Sequence, residues 1–119
     1  MKYTLRIKKN KIIKYVLKKG EYAYSKYIAI HCLKTNFKYK DSNFFCVCVS
    51  KKNGNSVQRN KLKRWAREVY KEEELNIKRG YNIIFLYKKN VTINDVNFFK
   101  IKEEFIKCLK ELGIYEKQV

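Results

Sequence analysis

The spacing of apolar residues changes several times along the chain, and each change predicts an element. Four early apolar residues recur at i, i+1, i+4 and i+5: Ile12, Ile13, Val16 and Leu17. That spacing predicts a short amphipathic helix, with Asn10 as its N-cap and Gly20 at its C-terminal end. The basic segment before it, residues 1–9, is expected to form a mobile arm.

Three later segments carry the residue types typical of strands. Residues 22–33 are rich in aromatic and β-branched side chains, and Ile28, Ile30 and Cys32 alternate there with Ala29, His31 and Leu33. Residues 43–50 and 81–87 are apolar at consecutive positions, which is typical of central strands that are buried on both faces.

Two further helices are predicted after turn signals. Asn53-Gly54-Asn55 marks a turn, and Asn55 with Gln58 forms a capping-box pattern for a helix that runs to about Glu74. Thr92 or Asn94 is expected to cap a last helix that Gly113 ends. The apolar stripe of this last helix is expected to contain Val96, Phe99, Phe105, Ile106, Leu109 and Leu112.

The order of these elements is helix, strands, helix, strand, helix. It predicts an α+β fold, a two-layer sandwich in which helices pack on one sheet. A chain of 119 residues fits a single domain, residues 1–119.

The helix after the glycine turn has one strongly basic side. At about 100° per residue, six polar side chains fall within an arc of roughly 140°. They are Arg59, Asn60, Lys63, Arg64, Arg67 and Lys71. Leu62, Trp65, Ala66 and Val69 fall on the other side and can pack on a core. Solvated helix faces usually mix charges of both signs, so this strip indicates contact with a polyanion.

The overall charge supports the same interpretation. The formal net charge is +18, and through Arg67 the only acids are Glu21 and Asp41. Nucleic acid is the expected partner, with an anionic membrane surface as the alternative. A membrane span is not expected because no apolar run approaches ~20 residues. The N-terminus lacks the apolar stretch of a secretory signal, so a cytoplasmic location is predicted.

The residue types needed for catalysis by the protein itself are sparse. A protein nuclease needs paired carboxylates for two metals, or a His-based acid and base, and the basic segment offers neither. His31 is the single histidine, and Glu72, Glu73 and Glu74 are expected to be a solvated face. The four cysteines lack the CxxC pairs of a zinc site and are expected to be free thiols: Cys32, Cys46, Cys48 and Cys108.

Segment 54–68, GNSVQRNKLKRWARE, closely resembles the Arg-Asn-Arg region of the bacterial ribonuclease P protein component. The family has Ala where Ser56 stands and Arg where Lys61 stands. Upstream, Val16, Leu17 and Gly20 fit the family's Val-Phe-x-x-Gly segment, and residues 49–52 fit the end of its central strand.

The resemblance implies a mostly four-stranded sheet with a left-handed crossover through the Arg-rich helix, against the general right-handed rule. It also implies a subunit of the ribonuclease P holoenzyme, an endoribonuclease that removes the 5′ leader of precursor tRNA. In that family a catalytic RNA and its bound Mg²⁺ carry the chemistry, so no protein-bound cofactor and no catalytic residue are expected here. The partners implied are the catalytic RNA and precursor tRNA, with one protein monomer per RNA.

The resemblance assigns RNA contact to eight residues: Lys51, Lys52, Arg59, Asn60, Lys61, Lys63, Arg64 and Arg67. It assigns the cleft for the single-stranded leader to Ile13, Leu17 and His31, between the first helix and the sheet. The family often has Phe at the first two positions and an aromatic residue at the third. Weaker stacking is therefore expected here, with compensation from some of four tyrosines: Tyr15, Tyr22, Tyr24 and Tyr27.

Two other functions remain open from the sequence. The first is a non-catalytic binding module of the ribosomal or RNA-chaperone type, with no role in tRNA maturation. The second is a metal-dependent RNA nuclease that acts alone.

Overall fold

The computed structural model describes residues 1–118, apart from the side chain of Phe37. The strands are β1 (Thr4–Arg6), β2 (Glu21–Tyr24), β3 (Ile28–Lys34), β4 (Asn43–Cys48) and β5 (Tyr81–Tyr87). The α-helices are α1 (Asn10–Lys19), α2 (Ser56–Glu73) and α3 (Phe98–Glu111). Single 3₁₀ turns cover Phe37–Tyr39, Lys51–Asn53 and Glu74–Asn76.

The strands form one mixed five-stranded sheet in the order β1-β4-β5-β3-β2. β4 is parallel to both β1 and β5, whereas β3 pairs antiparallel with β5 and with β2. The α+β class is therefore confirmed. β1 adds a short edge strand to the four that were expected, and α2 makes the crossover between parallel β4 and β5. The left hand of that crossover stays a prediction.

Helices lie on both faces of the sheet. Ile83 and Phe85 of β5 join the core formed with α2 and α3, whereas Ile84 and Leu86 pack on the other face with Val16 of α1. The side chains of β4 are likewise divided between the two core clusters. The predicted burial of β4 and β5 on both faces is therefore confirmed. α1 thus adds a partial third layer to the predicted two-layer sandwich.

The N-terminal segment is not a mobile arm, and that prediction is wrong. β1 pairs in parallel with β4. The backbone amides of Lys2 and Tyr3 donate to the two oxygens of the Glu74 carboxylate at 2.6 and 3.0 Å. Thr4 Oγ1 lies 2.7 Å from the hydroxyl of Tyr70. The segment is therefore anchored to the end of α2.

Glu74 is the charged anchor of this arrangement, with 6% of its surface exposed, and Glu73 is buried as well. The prediction that Glu72, Glu73 and Glu74 form a solvated face is therefore wrong for two of the three. Burial by itself would raise the pKa of the Glu74 carboxyl, but hydrogen bonds from Thr4 and from the amides of Lys2 and Tyr3, with the positive N-terminus, lower that pKa overall. A depressed folded-state pKa stabilises the fold above the unfolded value of about 4.3. That stabilisation is lost as the pH falls through the lower, folded-state pKa.

We therefore expect Glu74→Gln to reduce the free energy of unfolding at pH 7 by about 1–3 kcal/mol. The difference from the unmodified chain should shrink in strong acid, where the carboxyl is protonated. Urea unfolding at pH 7 and pH 2 measures both values, and Glu68→Gln on the exposed side of α2 is the matched control. A loss that is equal at both pH values would show that the charge of Glu74 contributes nothing.

The start of α3 also differs from the prediction. Neither Thr92 nor Asn94 caps it; the N-cap is Asn97, whose side chain accepts from the amide of Lys100 at 2.9 Å. The helix begins later than expected, so Val96 is buried but precedes it. Phe99 belongs to the helix but points away from its buried side and is 78% exposed, so its place in the predicted stripe is wrong. The buried residues of α3 are Ile101, Phe105, Cys108 and Leu109. Gly113 follows the helix with φ +73°, as expected of a terminating glycine.

The ends of α1 agree with the sequence only in part. Lys9, not Asn10, is its N-cap, and no side chain bonds the first turn. Gly20 ends the helix as predicted, and its amide donates to Val16 O at 2.8 Å. A Cβ at Gly20 would lie 2.5 Å from Cys32 O, so only glycine lets α1 turn this closely against β3.

The predicted strand over residues 22–33 is a hairpin. β2 ends at Tyr24, the amide of Ser25 donates to Ile28 O at 2.9 Å, and β3 begins at Ile28. The turn contains no Gly, Asn or Pro, so the usual turn signal is missing. The hairpin register pairs Tyr22 with His31 and Tyr24 with Ala29.

Candidate nucleic-acid interface

The turn before α2 follows the predicted capping pattern. Gly54 has φ +128°, a value that L side chains rarely adopt. The Asn55 side chain accepts from the amide of Gln58 at 2.9 Å, and Gln58 Oε1 accepts from the amide of Asn55 at 2.9 Å. This reciprocal pair satisfies two free amides and fixes where the basic helix begins.

One side of α2 is fully buried, as predicted. Leu62, Ala66 and Val69 have no exposed surface, and Trp65 is half-buried against the same core. The hydroxyl of Tyr87 donates to Leu62 O at 2.7 Å, which links β5 to the middle of the helix. These contacts fix the orientation of α2, so they also determine the direction in which its polar side faces.

The opposite side is the cationic strip. Asn60, Lys61, Arg64 and Arg67 are exposed, and Arg59 and Lys63 are half-exposed. Within residues 1–118 the recorded ion pairs are those of Lys102 with Glu72 and Glu73, so none of these cations is neutralised by a carboxylate. The structure thus brings five α2 residues of the predicted RNA surface together on one face, whereas Lys61 lies at its margin beside Trp65.

Two of these side chains have local contacts. Arg59 donates to Asn55 O at 3.4 Å and to Ser56 Oγ at 3.3 Å, so its guanidinium lies along the first turn of α2. Lys61 Nζ lies 5.0 Å from the centre of the Trp65 ring. Arg64 and Arg67 have no recorded partner among the described residues and are free to meet phosphates.

The anchored N-terminal segment adds cations to this surface. A cavity of about 420 Å³ lies between it and α2, and Arg6 and Lys8 line it together with Lys63 and Arg67. Arg6 and Lys8 were not predicted as site residues because residues 1–9 were expected to be mobile. The pairing of β1 with β4 fixes them beside the strip.

Lys51 and Lys52 lie apart from α2, exposed in the 3₁₀ turn that precedes it. The side chain of Lys52 meets that of Lys89 from the loop after β5, and this contact lowers the pKa of Lys52. A second cationic patch therefore combines the two predicted lysines with Lys89, which the sequence analysis did not select. The following residue, Asn53, is buried and holds the turn in place.

The predicted leader-cleft residues all lie where α1 meets the sheet. Ile13 packs against the smaller core cluster, and Leu17 is 37% exposed. His31 pairs with Ile84 across β3 and β5, so it projects from the same face of the sheet as that α1-facing residue. Ile13, Leu17 and His31 therefore share a face of the molecule rather than a closed pocket.

An aromatic row extends this face to the edge strand. The rings of Tyr22 and His31 are centred 5.5 Å apart, and those of Tyr22 and Tyr24 are 5.0 Å apart. Both tyrosines are more than half exposed, and Lys88 Nζ lies 5.4 Å from the Tyr24 ring centre. Of the four candidate tyrosines, Tyr22 therefore contacts His31, and Tyr24 continues the row beside Tyr22. Their alternation along β2 is the signal that would have identified them.

Burial lowers the pKa of His31 below its ordinary value of 6.5, which favours the neutral imidazole. Its Nδ1 is buried and makes no hydrogen bond within the described residues. The imidazole beside Tyr22 therefore offers a partly exposed flat ring, whereas its Nδ1 is closed off from solvent. A ring of this kind suits stacking with an unpaired base.

The cysteines are free thiols, and Cys46 and Cys48 lie next to each other on the α1 side of β4. A hydrogen bond with Cys46, and secondly the charge of Lys63, lower the pKa of Cys48. Among residues 1–118, no group of three or more His, Cys, Asp or Glu side chains is placed to hold a metal ion. None of the described helices has the length and apolarity needed to cross a membrane.

Comparisons with known proteins agree with this geometry. The Ribonuclease P family profile matches residues 1–113. The ribonuclease P protein component of Clostridium botulinum strain 657 is 34% identical over 92% of this chain and 96% of its own length. That of Natranaerobius thermophilus is 32% identical over the full length of this chain and 99% of its own.

Solved structures show the same fold. The Staphylococcus aureus RNase P protein superposes with a TM-score of 0.76 at 27% identity, covering 93% of this chain and 97% of its own. A Staphylococcus aureus RNase P protein mutant with defective mRNA degradation activity gives 0.75 at 28% identity, covering 92% and 89%. With a matching family profile, full-length relatives and the predicted basic helix in place, the chain belongs to the ribonuclease P protein family, the protein components of the enzyme that matures tRNA 5′ ends.

Proposed function

We propose that this chain binds the catalytic RNA of ribonuclease P through the cationic strip of α2. We propose further that it binds the 5′ leader of precursor tRNA through the patch where Ile13 and Leu17 of α1 and His31, Tyr22 and Tyr24 of the sheet lie. The observation that carries the proposal is the strip itself, because its cations have no carboxylate partners within the described residues. Arginine forks suit phosphate oxygens, and the amide of Asn60 suits a sugar, a base edge or a hydrated Mg²⁺.

The division of labour follows from the residue types on this surface. Hydrolysis of a phosphodiester by a protein requires carboxylates for metals or an acid and a base. The strip supplies Arg, Lys and Asn, which position RNA and offset its charge. We therefore assign the chemistry to the RNA and the Mg²⁺ that it binds. We further propose that one protein monomer binds each RNA and that the complex acts in the cytoplasm.

Reconstitution tests this function directly. The purified chain is mixed with a bacterial ribonuclease P RNA and precursor tRNA at low Mg²⁺, and the 5′ products are mapped. We expect accurate 5′ cleavage with both components and no cleavage with the protein alone. Cleavage without added RNA, abolished by a point substitution in the protein, would overturn the assignment of the chemistry.

Degradation of RNA by the protein alone is a second candidate, and one observation favours it. The Staphylococcus aureus structure of an RNase P protein mutant with defective mRNA degradation activity is similar to this chain over most of its length. The same experiment separates the functions when it includes an unstructured mRNA fragment. A binding module of the ribosomal or RNA-chaperone type would neither degrade that fragment nor support 5′ cleavage with the RNA.

The leader surface gives a prediction of smaller effect. We expect His31→Ala to weaken binding of precursor tRNA to the holoenzyme by ~1 kcal/mol or less, because the neutral imidazole stacks only in part. Leu17→Phe should strengthen it, since a ring at this partly exposed position can stack on a base. The measurement compares dissociation constants for precursor and mature tRNA, because only the precursor carries a leader.

Mature tRNA is also the control for assembly. Equal weakening of both RNAs by His31→Ala would place the defect in folding or in RNA association. No change in either would remove His31 from the leader surface.

A further inference from the structure

A groove of about 710 Å³ lies along the other side of α1, away from the predicted leader residues. Ile12, Tyr15 and Val16 form its helix wall, whereas Ile13, Leu17 and His31 do not line it. Its floor is a cross-strand row in which Phe44 of β4 pairs with Asn82 of β5, and Asn82 pairs with Leu33 of β3. The far wall carries Tyr39 from the 3₁₀ turn.

The rim of this groove is strongly positive. Its lysines are Lys9, Lys11, Lys14, Lys18 and Lys34. None of the described residues that line the groove is acidic. Cations gathered around a recess without acids create a positive potential that attracts a chain of phosphates.

The interior is suited to flat, unpaired rings. Tyr15 is 57% exposed and Tyr39 is 41% exposed. Tyr39 meets Phe44 edge to face, with ring centres 5.5 Å apart. The side-chain amide of Asn82 makes no recorded hydrogen bond within the described residues, so it can pair with a base edge.

We propose that this groove is a second site for single-stranded RNA, separate from the leader surface on the opposite flank of α1. The lysines track the phosphates, while Tyr15, Tyr39 and Phe44 stack with bases. The volume lies within the ~300–1,000 Å³ typical of small-ligand clefts, so the groove can receive unpaired bases. The exposed aromatic rings favour RNA over an acidic peptide, since stacking is the means by which proteins hold unpaired bases.

The test uses a short oligouridylate carrying 4-thiouridine and the full-length protein. Photo-cross-linking followed by peptide mapping should place adducts on Tyr15, Tyr39 or Phe44 as well as on the opposite flank. Tyr39→Ala should remove the groove adducts and lower oligonucleotide affinity at that site by roughly five- to hundredfold. Phe99→Ala, which removes an exposed ring from the start of α3, is the matched control and should change neither value.

Charge reversal provides a second variant at positions that do not support the core. Lys14→Glu with Lys18→Glu should weaken the same adducts, whereas Lys107→Glu on α3 should not. Adducts confined to Tyr22, Tyr24 and His31 would overturn the proposal. The proposal would also be overturned if an acidic peptide displaced the oligouridylate from the groove and unlabelled RNA did not.

Precursor tRNA separates this site from the leader surface. Tyr39→Ala should leave the preference of the holoenzyme for precursor over mature tRNA unchanged. If it abolishes that preference, the leader itself occupies this groove and the second-site proposal fails. If instead the leader assignment is wrong, His31→Ala and Leu17→Phe should leave precursor tRNA binding unchanged, while the groove adducts remain intact.

Discussion

Replacing Arg64 and Arg67 together with alanine is expected to weaken association with the catalytic RNA by roughly 25- to 60-fold at 0.1 M monovalent salt. Each lost phosphate contact should reduce the log–log salt slope by about 0.7–0.9, so the pair should reduce it by about 1.4–1.8. Both side chains are exposed and lack a recorded partner among residues 1–118, so their loss removes no described contact. The free energy of unfolding should therefore change by less than about 0.5 kcal/mol.

The measurement is a filter-binding titration at several salt concentrations, with thermal unfolding recorded for each variant. A control removes the same charge elsewhere, by Lys78→Ala with Lys107→Ala, and should lower affinity much less. A folded Arg64→Ala, Arg67→Ala variant that retains the affinity and salt slope of the unmodified chain would show that this face of α2 does not meet RNA.

The basic helix was predictable because its signals are local. The turn glycine, the Asn55–Gln58 pair and the 3.6-residue period of Leu62, Ala66 and Val69 all lie within one short segment. Each of these signals agrees with the others, so α2 and its cationic side follow from the sequence. β5 was predictable for a similar reason, since its apolar run matches the strand over Tyr81–Tyr87.

The N-terminal segment was mispredicted because its partners are distant in sequence. The carboxylate that receives the amides of Lys2 and Tyr3 lies more than 70 residues away. No local pattern in a lysine-rich segment reveals a buried acceptor on another element. The positions of Arg6 and Lys8 beside α2 could therefore not be derived, although their charge was evident.

The aromatic row was missed for another reason. A turn without glycine, asparagine or proline concealed the hairpin, so the register that places Tyr22 against His31 could not be assigned. The register determines the face from which each side chain projects, since a shift of one residue moves every side chain to the opposite face. The leader surface is thus set by a turn that the sequence does not signal.

Asn53 shows how a residue of the turn supports the RNA surface. The sequence identifies it only as part of a turn signal, but its side chain is 1% exposed. Its Nδ2 donates to Lys88 O at 3.0 Å and to Val91 O at 2.8 Å. Its Oδ1 accepts from the amide of Ser50 at 2.9 Å. One amide therefore joins the end of β4 to the loop after β5, where Lys52 and Lys89 meet.

Asn53→Ala is accordingly expected to lower the free energy of unfolding by about 2–4 kcal/mol, because it leaves two carbonyls and one amide without their partner in a buried site. Asn55→Ala, which removes the exposed cap of α2, is the matched control and should cost about 1 kcal/mol. Urea unfolding measures both losses. Catalytic-RNA affinity, measured where both variants remain folded, should fall further for Asn53→Ala, since the positions of Lys51, Lys52 and Lys89 depend on its hydrogen bonds. Equal losses of stability in the two variants would show that the bridge between the loops contributes no more than an ordinary helix cap.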